Sequence, residues 1–177
     1  MTIDTMRDLL VHELQDLYSA ERQLVAALPT MVKAATSPSL ASALRDHLEQ
    51  TVGHVTRLEE CFSHLDVATK AIKCKGMEGL LKEGAEMAEE DGNPLVRDAG
   101  IIGAAQRVEH YEIAAYGTSV ELASVVGEEA VATLLRLTLE EERAADALLT
   151  SIAEADVNPL ALLSGEPAGA PDAPASR

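Results

Sequence analysis

The chain has 177 residues, of which 47% are hydrophobic, and this is enough for one domain with a substantial core. Its net charge is −16 and it contains no stripe of Lys and Arg, which excludes the phosphate attraction of a nucleic-acid-binding protein. Ala, Leu and Glu are abundant, whereas Trp is absent and Phe62 is the single Phe. Since this composition favours helices and strand formers never alternate over any length, we predict an all-α protein that binds no nucleic acid.

Hydrophobic periodicity predicts four long helices, at about residues 4–35, 38–65, 96–125 and 128–155. Pro29 lies inside the first helix and should bend it or end it early. Ser37 is a suitable N-cap for the second helix, and Pro38 suits its first turn. The connection formed by residues 66–96 contains a short predicted helix at about 76–90, and Gly127 separates the last two helices.

Residues 1–158 are expected to form one domain, and residues 159–177, which are rich in Pro, Ala and Gly, a disordered tail. The N-terminal sequence lacks the basic region and apolar run of a signal peptide. No segment approaches the roughly 18 uncharged apolar residues of a membrane span. Cys61 and Cys74 lack metal-binding spacing and are expected to be free thiols. We therefore predict a soluble, cytoplasmic protein without a membrane partner.

The sequence contains an imperfect internal repeat. Aligning residue n with residue n + 91 superposes the apolar positions of two successive helical hairpins, and it pairs Glu21 with Glu112 and Gln50 with Glu141. Two helical hairpins joined by a long crossover are the arrangement of ferritin-like bundles. The sequence therefore predicts a ferritin-like antiparallel four-helix bundle whose long crossover contains the short extra helix.

Each long helix carries a stripe that is apolar at its ends and polar near its middle. The members with a carboxylate or an imidazole are Glu21 on the first helix, His47 and His54 on the second, Glu109 and Glu112 on the third, and Glu141 on the fourth. The stripe of the fourth helix contains, besides Glu141, Leu134, Thr138, Ala145, Leu148 and Ile152. Glu142 lies beside Glu141, and periodicity alone does not separate these two residues.

Carboxylates that face one another inside a bundle are unfavourable on their own. Removing each of them from water costs several kcal/mol, and their mutual repulsion adds to that cost. Arg22, Arg107 and Arg143 lie off the stripes and do not neutralise them. Two divalent cations would do so, and carboxylate oxygens together with imidazole suit iron or manganese. The pattern therefore predicts a dinuclear centre with two iron ions, or alternatively manganese.

Five blocks of the sequence, which together cover about residues 5–158, resemble the YciE/YciF-type stress proteins, a ferritin-like family. They are ELQDLYSAERQL, DHLEQTVGHVTRLEE, CKGMEGLLKEG, AAQRVEHYEIAAYGT and TLEEERAADALL. The resemblance implies a homodimeric four-helix bundle with a dinuclear metal centre and a role in the stress response. It also implies that the metal ligands are Glu21, the residue at position 50, Glu109, Glu112 and a member of the pair Glu141 and Glu142.

The second helix departs from this family pattern. Family members resemble HLEETxGQ there, whereas this chain has HLEQTVGH, so Gln50 replaces a Glu and His54 replaces a Gln. The chain also lacks a Glu-x-x-His motif, because Ala145 stands where the fourth helix would carry an imidazole. The complete set of candidate metal ligands is Glu21, Gln50, His54, Glu109, Glu112, Glu141 and Glu142.

Three functions are compatible with this set of residues. The first is a di-iron or di-manganese enzyme that reacts with O2 or peroxide, as an oxidase, a peroxidase or a catalase-like enzyme. The second is a metal-binding or storage protein without turnover. The third is a structural or interaction protein with a vestigial site, which the loss of the carboxylate at Gln50 favours.

Overall fold

The computed structural model of the chain describes residues 2–165, which form helices and no strands. The helices are α1 (Met6–Ala34), α2 (Pro38–His64), α3 (Lys75–Glu89), α4 (Pro94–Val125), α5 (Glu129–Ile152) and α6 (Asn158–Gly165), with one π-helical turn (Ala153–Val157) between the last two. The hairpins α1–α2 and α4–α5 pack against each other through α1 with α4 and α2 with α5. The short helix α3 packs across α1 and α4. These observations confirm the predicted all-α bundle with a helix in its crossover.

The core consists of two apolar clusters that flank a polar layer halfway along the bundle. One cluster includes Leu14, Phe62 and Leu135, and the other includes Leu24 and Ile101. A buried Leu, Ile or Phe side chain contributes about 1.5–3 kcal/mol relative to an exposed one. The two clusters therefore hold the four long helices together on both sides of the polar layer.

Local sequence explains where the first two helices begin. Thr5 and Asp8 form a capping box at the start of α1. Ser37 caps α2 and Pro38 occupies its first turn, as predicted. Pro29 does not end α1, which continues to Ala34. The proline is exposed, so water can satisfy the backbone carbonyl that loses its helical partner.

Two parts of the structure differ from the prediction. On α5 Thr138 and Ile152 are buried as predicted, but Leu149 is 4% exposed whereas the predicted Leu148 is 48% exposed, so this part of the buried face lies one residue later than expected. The first part of the expected tail, residues 159–165, belongs to α6, which contacts α4 and buries Ala161. The rest of that tail, residues 166–177, lies outside the described residues. Within residues 2–165 no helix has the length and hydropathy to cross a membrane. Cys61 and Cys74 are free and buried, as predicted.

Asp98 of α4 fastens the turn between α1 and α2. Its carboxylate is fully buried and accepts hydrogen bonds from the backbone N–H of Thr36 at 3.0 Å, from the Thr36 hydroxyl at 2.6 Å and from the backbone N–H of Ser37 at 2.6 Å. Hydrogen bonds to an ionised acceptor are among the stronger ones in proteins. This single carboxylate therefore connects the first hairpin to the second.

Replacing Asp98 by Ala should lower the free energy of unfolding by about 2–3 kcal/mol, because buried donors would lose their acceptor. Urea denaturation measures the change. The exposed Asp91 provides the matched control, and Asp91→Ala should change stability by less than about 0.5 kcal/mol. Equal effects of the two substitutions would contradict this role of Asp98.

Candidate metal centre

Six polar side chains form the layer between the two apolar clusters. They are Glu21 on α1, His47 and His54 on α2, Glu109 and Glu112 on α4, and Glu142 on α5, and none is more than 6% exposed. We call this set the carboxylate–histidine cluster. Each of the four long helices contributes at least one member, so the cluster lies where all four helices meet.

The cluster divides into two groups of potential metal ligands that share one residue. His47, Glu109, Glu112 and Glu142 form one group, and Glu21, His54 and Glu142 form the other. Within each group, one ligand atom from every residue lies within 4.8 Å of the others. Glu142 belongs to both groups, which is the arrangement that a carboxylate bridging two cations requires. These buried residues could therefore hold metal.

Several oxygens of the cluster have no hydrogen-bond partner within residues 2–165. They include both carboxylate oxygens of Glu112, Oε2 of Glu142, one oxygen of Glu21 and one of Glu109, whereas Glu142 Oε1 lies 2.9 Å from His54 Nδ1. A buried polar group without a partner costs about 1–3 kcal/mol, and a charged one costs more. Glu112 is the extreme case, because it forms no ion pair within residues 2–165, whereas the equally buried Glu21 and Glu142 lie 3.4 and 2.9 Å from His54 Nδ1.

Burial and mutual repulsion shift the protonation of these carboxyl groups. Burial, followed by the negative charges of Glu21 and Glu142, raises the pKa of Glu112 well above its ordinary value. Burial and Glu142 raise the pKa of Glu109 to about 10. The pKa of Glu21 is also raised, mainly by burial. Without a cation, part of the cluster is therefore protonated at neutral pH.

His54 supplies positive charge to the cluster in the absence of metal. Its Nδ1 lies 2.9 Å from a Glu142 oxygen and 3.4 Å from a Glu21 oxygen, and its Nε2 lies 2.9 Å from Glu141. Burial alone would lower the pKa of His54, but Glu142 and Glu21 together raise it to about 10. A cation that binds Nδ1 must therefore displace a proton.

The pKa of His47 is shifted in the opposite direction to that of His54. Its Nε2 lies 3.3 Å from a Glu109 oxygen, but burial lowers the pKa of the imidazole. A neutral imidazole has the free lone pair that a metal ligand needs. His47 lies on the predicted stripe of α2 but is not among the seven predicted ligands. Its position on that stripe is the signal from which it could be predicted.

Five of the seven candidate ligands lie in the cluster, and two do not. Gln50 is exposed on α2. Glu141 has a side chain that is 38% exposed and pairs with Arg57, whose Nη1 lies 2.8 Å from Glu141 Oε2 and also donates to Thr138. The Arg57 and His54 contacts outweigh partial burial and lower the pKa of Glu141. The structure thus distinguishes the two neighbouring glutamates. Glu142 faces the cluster, whereas Glu141 pairs with the guanidinium group of Arg57.

Tyr116 of α4 completes the surroundings of the cluster. Its ring is fully buried, and its hydroxyl donates a short hydrogen bond to Glu21 Oε1. This bond fixes the orientation of the Glu21 carboxylate. Tyr18 does not take part, since its hydroxyl donates to Glu59 on α2 at 2.8 Å.

Replacing Glu112 by Leu should raise the free energy of unfolding of the metal-free protein by about 1–4 kcal/mol, because a hydrophobic side chain removes an unpaired buried carboxyl group. Chemical denaturation in the presence of a chelator measures the difference. Glu121 is exposed on the same helix, and Glu121→Leu should change stability by less than about 0.5 kcal/mol. A marked loss of stability in Glu112→Leu alone would contradict the predicted strain.

The metal-free protein should become less stable as the pH rises from 7 to 9. The raised pKa values of Glu109 and His54, both about 10, mean that the folded state keeps protons that the unfolded state releases. Stability falls with pH wherever the folded state binds more protons. Below pH 7 the lowered pKa of His47 would make stability rise with pH, so the prediction is restricted to the interval from pH 7 to pH 9.

Urea denaturation with a chelator at pH 7 and 9 tests this dependence. We expect a decrease of more than about 1.4 kcal/mol, the free energy of one pKa unit. Stability that is constant or rises over this interval would show that the carboxyl groups are already ionised and compensated in the folded chain.

Comparison with known proteins places the chain in a family. The family model described as domain of unknown function DUF892 matches residues 5–161. The chain is 44% identical to protein YciF of Escherichia coli strain K12 over 159 residues, which cover 89% of this chain and 96% of YciF. This match agrees with the five blocks of sequence that resemble YciF-type proteins.

Solved structures show the same fold. The crystal structure of the E. coli stress protein YciF matches with a TM-score of 0.84 and 44% identity over 88% of this chain and 98% of that one. YcfI from Rhodopseudomonas palustris matches with a TM-score of 0.83 and 42% identity over 85% and 96% of the two chains. A protein from Xanthomonas campestris pv. campestris, 24% identical, shares the fold with a TM-score of 0.74 over 92% and 100%. The chain therefore belongs to the DUF892 family, to which its similarity to the stress protein YciF also points.

Proposed function

We propose that the carboxylate–histidine cluster is a dinuclear iron or manganese centre that reacts with O2 or peroxide in a stress-related protein. The observation that carries this proposal is Glu112, a fully buried carboxylate whose two oxygens lack hydrogen-bond partners in residues 2–165 and which lies among three other buried carboxylates. The similarity to the E. coli stress protein YciF supports the stress-related role.

The donor set fits two divalent cations. Four carboxylates carry four negative charges, and two divalent cations would balance them. His47, Glu109 and Glu112 would hold one ion, Glu21 and His54 the other, and Glu142 would bind both. Oxygen donors with one imidazole for each ion are typical of iron and manganese rather than of zinc sites rich in thiolate.

The surrounding residues prepare the cluster for this chemistry. Two such ions, when bound, would supply a site at which O2 or peroxide is bound and reduced. Glu141 accepts the Nε2 proton of His54 and thereby leaves Nδ1 facing Glu21 and Glu142. Arg57 holds Glu141 in place, and burial excludes bulk water.

A cavity of about 250 Å³ between α2 and α5, with two polar side chains at its opening, provides an entry for cations. It is lined by Asp46 and Gln50, which are exposed, and it extends inward to His47 and Glu109. A carboxylate at the opening attracts cations from solvent. Ala145 lines the same cavity, so the small residue on α5 leaves space where an imidazole would otherwise lie.

One observation favours a vestigial site as the second candidate function. The raised pKa values of His54 and Glu109, both about 10, show that protons can offset part of the negative charge without metal. In that case the cluster would be a structural feature of the bundle. Metal content and reactivity distinguish this function from the first.

The direct test is elemental analysis of protein loaded anaerobically with Fe(II) or Mn(II) and then desalted. We expect two metal ions per chain, and a spectral change when the ferrous protein is exposed to O2 or peroxide. Each of the two metal ions, at about 100 times its dissociation constant, should stabilise the fold by about 2.7 kcal/mol. If the protein binds no metal and its melting temperature does not change, the vestigial site would be favoured.

Two variants of neighbouring glutamates make the test specific. Glu142→Gln should abolish loading of both ions, because Glu142 belongs to both groups of ligands. Glu141→Gln should retain two ions per chain, because Glu141 lies outside both groups and pairs with Arg57. The same metal content in the two variants would contradict the proposed ligands.

A homodimer and a cytoplasmic location are further parts of this proposal. The homodimer is what the resemblance to YciF-type proteins implies, and the cytoplasmic location is the expectation drawn from the sequence. Light scattering of the purified protein measures the oligomeric state, and an assembly of many subunits would instead favour metal storage.

A further inference from the structure

An apolar cavity of about 150 Å³ reaches the carboxylate–histidine cluster from the side of the crossover helix. It lies among α1, α2, α3 and α4. Its walls are formed mainly by aliphatic side chains, among them Leu24, Leu28, Leu44, Leu80, Ala105 and Val108. At its inner end are His47 and Glu109, which belong to the cluster, and at its outer end is the exposed Thr30.

Helix α3 covers this cavity because small residues let it approach the bundle. A Cβ atom on the buried Gly84 would lie 3.6 Å from the Ala104 Cβ and 3.7 Å from the Met31 Cε, so the helices are already in van der Waals contact there. Gly84, Ala85 and Ala104 line the cavity beside longer side chains. The space therefore lies beneath a helix that is packed closely over it.

The chemistry of the walls selects the occupant. Water needs two to four polar partners, and the aliphatic walls provide none. An engineered apolar protein cavity of about the same volume stays dry and binds benzene. The polar end differs, because within residues 2–165 His47 Nδ1 and Glu109 Oε2 have no hydrogen-bond partner, although both side chains are more than nine-tenths buried.

We propose that this cavity binds an uncharged hydrocarbon group of about the size of a benzene ring and presents the molecule that carries it to the His47 and Glu109 end of the cluster. The part of the inference that concerns metal depends on the proposed function, whereas binding in the cavity does not. The cavity between α2 and α5, which opens beside Asp46 and Gln50, reaches the same two residues from another side. Cations and apolar molecules would therefore approach the cluster by separate routes.

The first experiment measures benzene binding to the metal-free protein. Benzene near saturation should raise the melting temperature of the wild-type chain by about 3 °C, as expected for a ligand that binds only the folded state. Ala105→Leu places a larger side chain in the cavity and should remove most of this shift. Ala114→Leu, at an exposed position on the same helix, should keep it.

A second pair of variants covers the case in which Ala105→Leu fails to fold. Gly84→Ala adds a methyl group to the cavity from α3 at ordinary van der Waals distance, and Gly79→Ala adds the same group to that helix in open space. Benzene should stabilise Gly79→Ala more than Gly84→Ala. Absence of a benzene effect in the wild-type chain, or equal effects in filled and control variants, would overturn the proposal even if the protein binds metal.

The second experiment tests whether benzene in the cavity lies close to the carboxylate–histidine cluster. In protein loaded with Mn(II), the paramagnetic ion should accelerate the relaxation of benzene protons at least threefold over a Mn(II)-free sample. Ala105→Leu should abolish this acceleration at unchanged Mn content. Benzene that binds without faster relaxation would show that the cavity does not present its occupant to the metal. A chain without bound Mn(II) would count against the proposed function alone, because the melting experiment decides the cavity.

Discussion

The structure depends on the burial of four carboxylates at one level of a helical bundle. Two apolar clusters contribute the free energy that allows such a layer to exist between them. These buried carboxylates need compensation for their negative charge. Each must be protonated, paired with His54 or bound to a cation. The unpaired oxygens of Glu112 indicate that residues 2–165 alone do not complete this compensation.

The fold could be predicted well because its signals are local and repeated. The predicted starts and ends of α1, α2 and α4 lie within a few residues of the observed ones, and the stripes of these helices face the core. On α5 apolar and acidic residues occur in adjacent pairs, such as Glu141 and Glu142. The periodicity therefore fits two neighbouring faces of the helix equally well. Packing against α2 and α4 decides between them, and this information is not local.

The candidate site could be predicted less completely. Periodicity found Glu21, Glu109 and Glu112, since charged residues on an apolar stripe are conspicuous. The sequence does not predict the role of Arg57, because its long side chain reaches from α2 to Glu141 on α5, a contact between residues 84 positions apart in sequence. The family resemblance points to Gln50, but the residue that faces the core at this level of α2 is the buried Thr51.

The internal repeat has a consequence for the symmetry of the cluster. In the register that pairs Glu21 with Glu112, Thr51 corresponds to Glu142 and His54 to Ala145. Each hairpin therefore retains a different half of the Glu-x-x-His pair of ferritin-like proteins. Glu109 has no acidic counterpart, since Tyr18 stands at its equivalent position. Two cations held here would occupy unequal environments, so they would bind one after the other with different affinities, and the chain could distinguish two different elements.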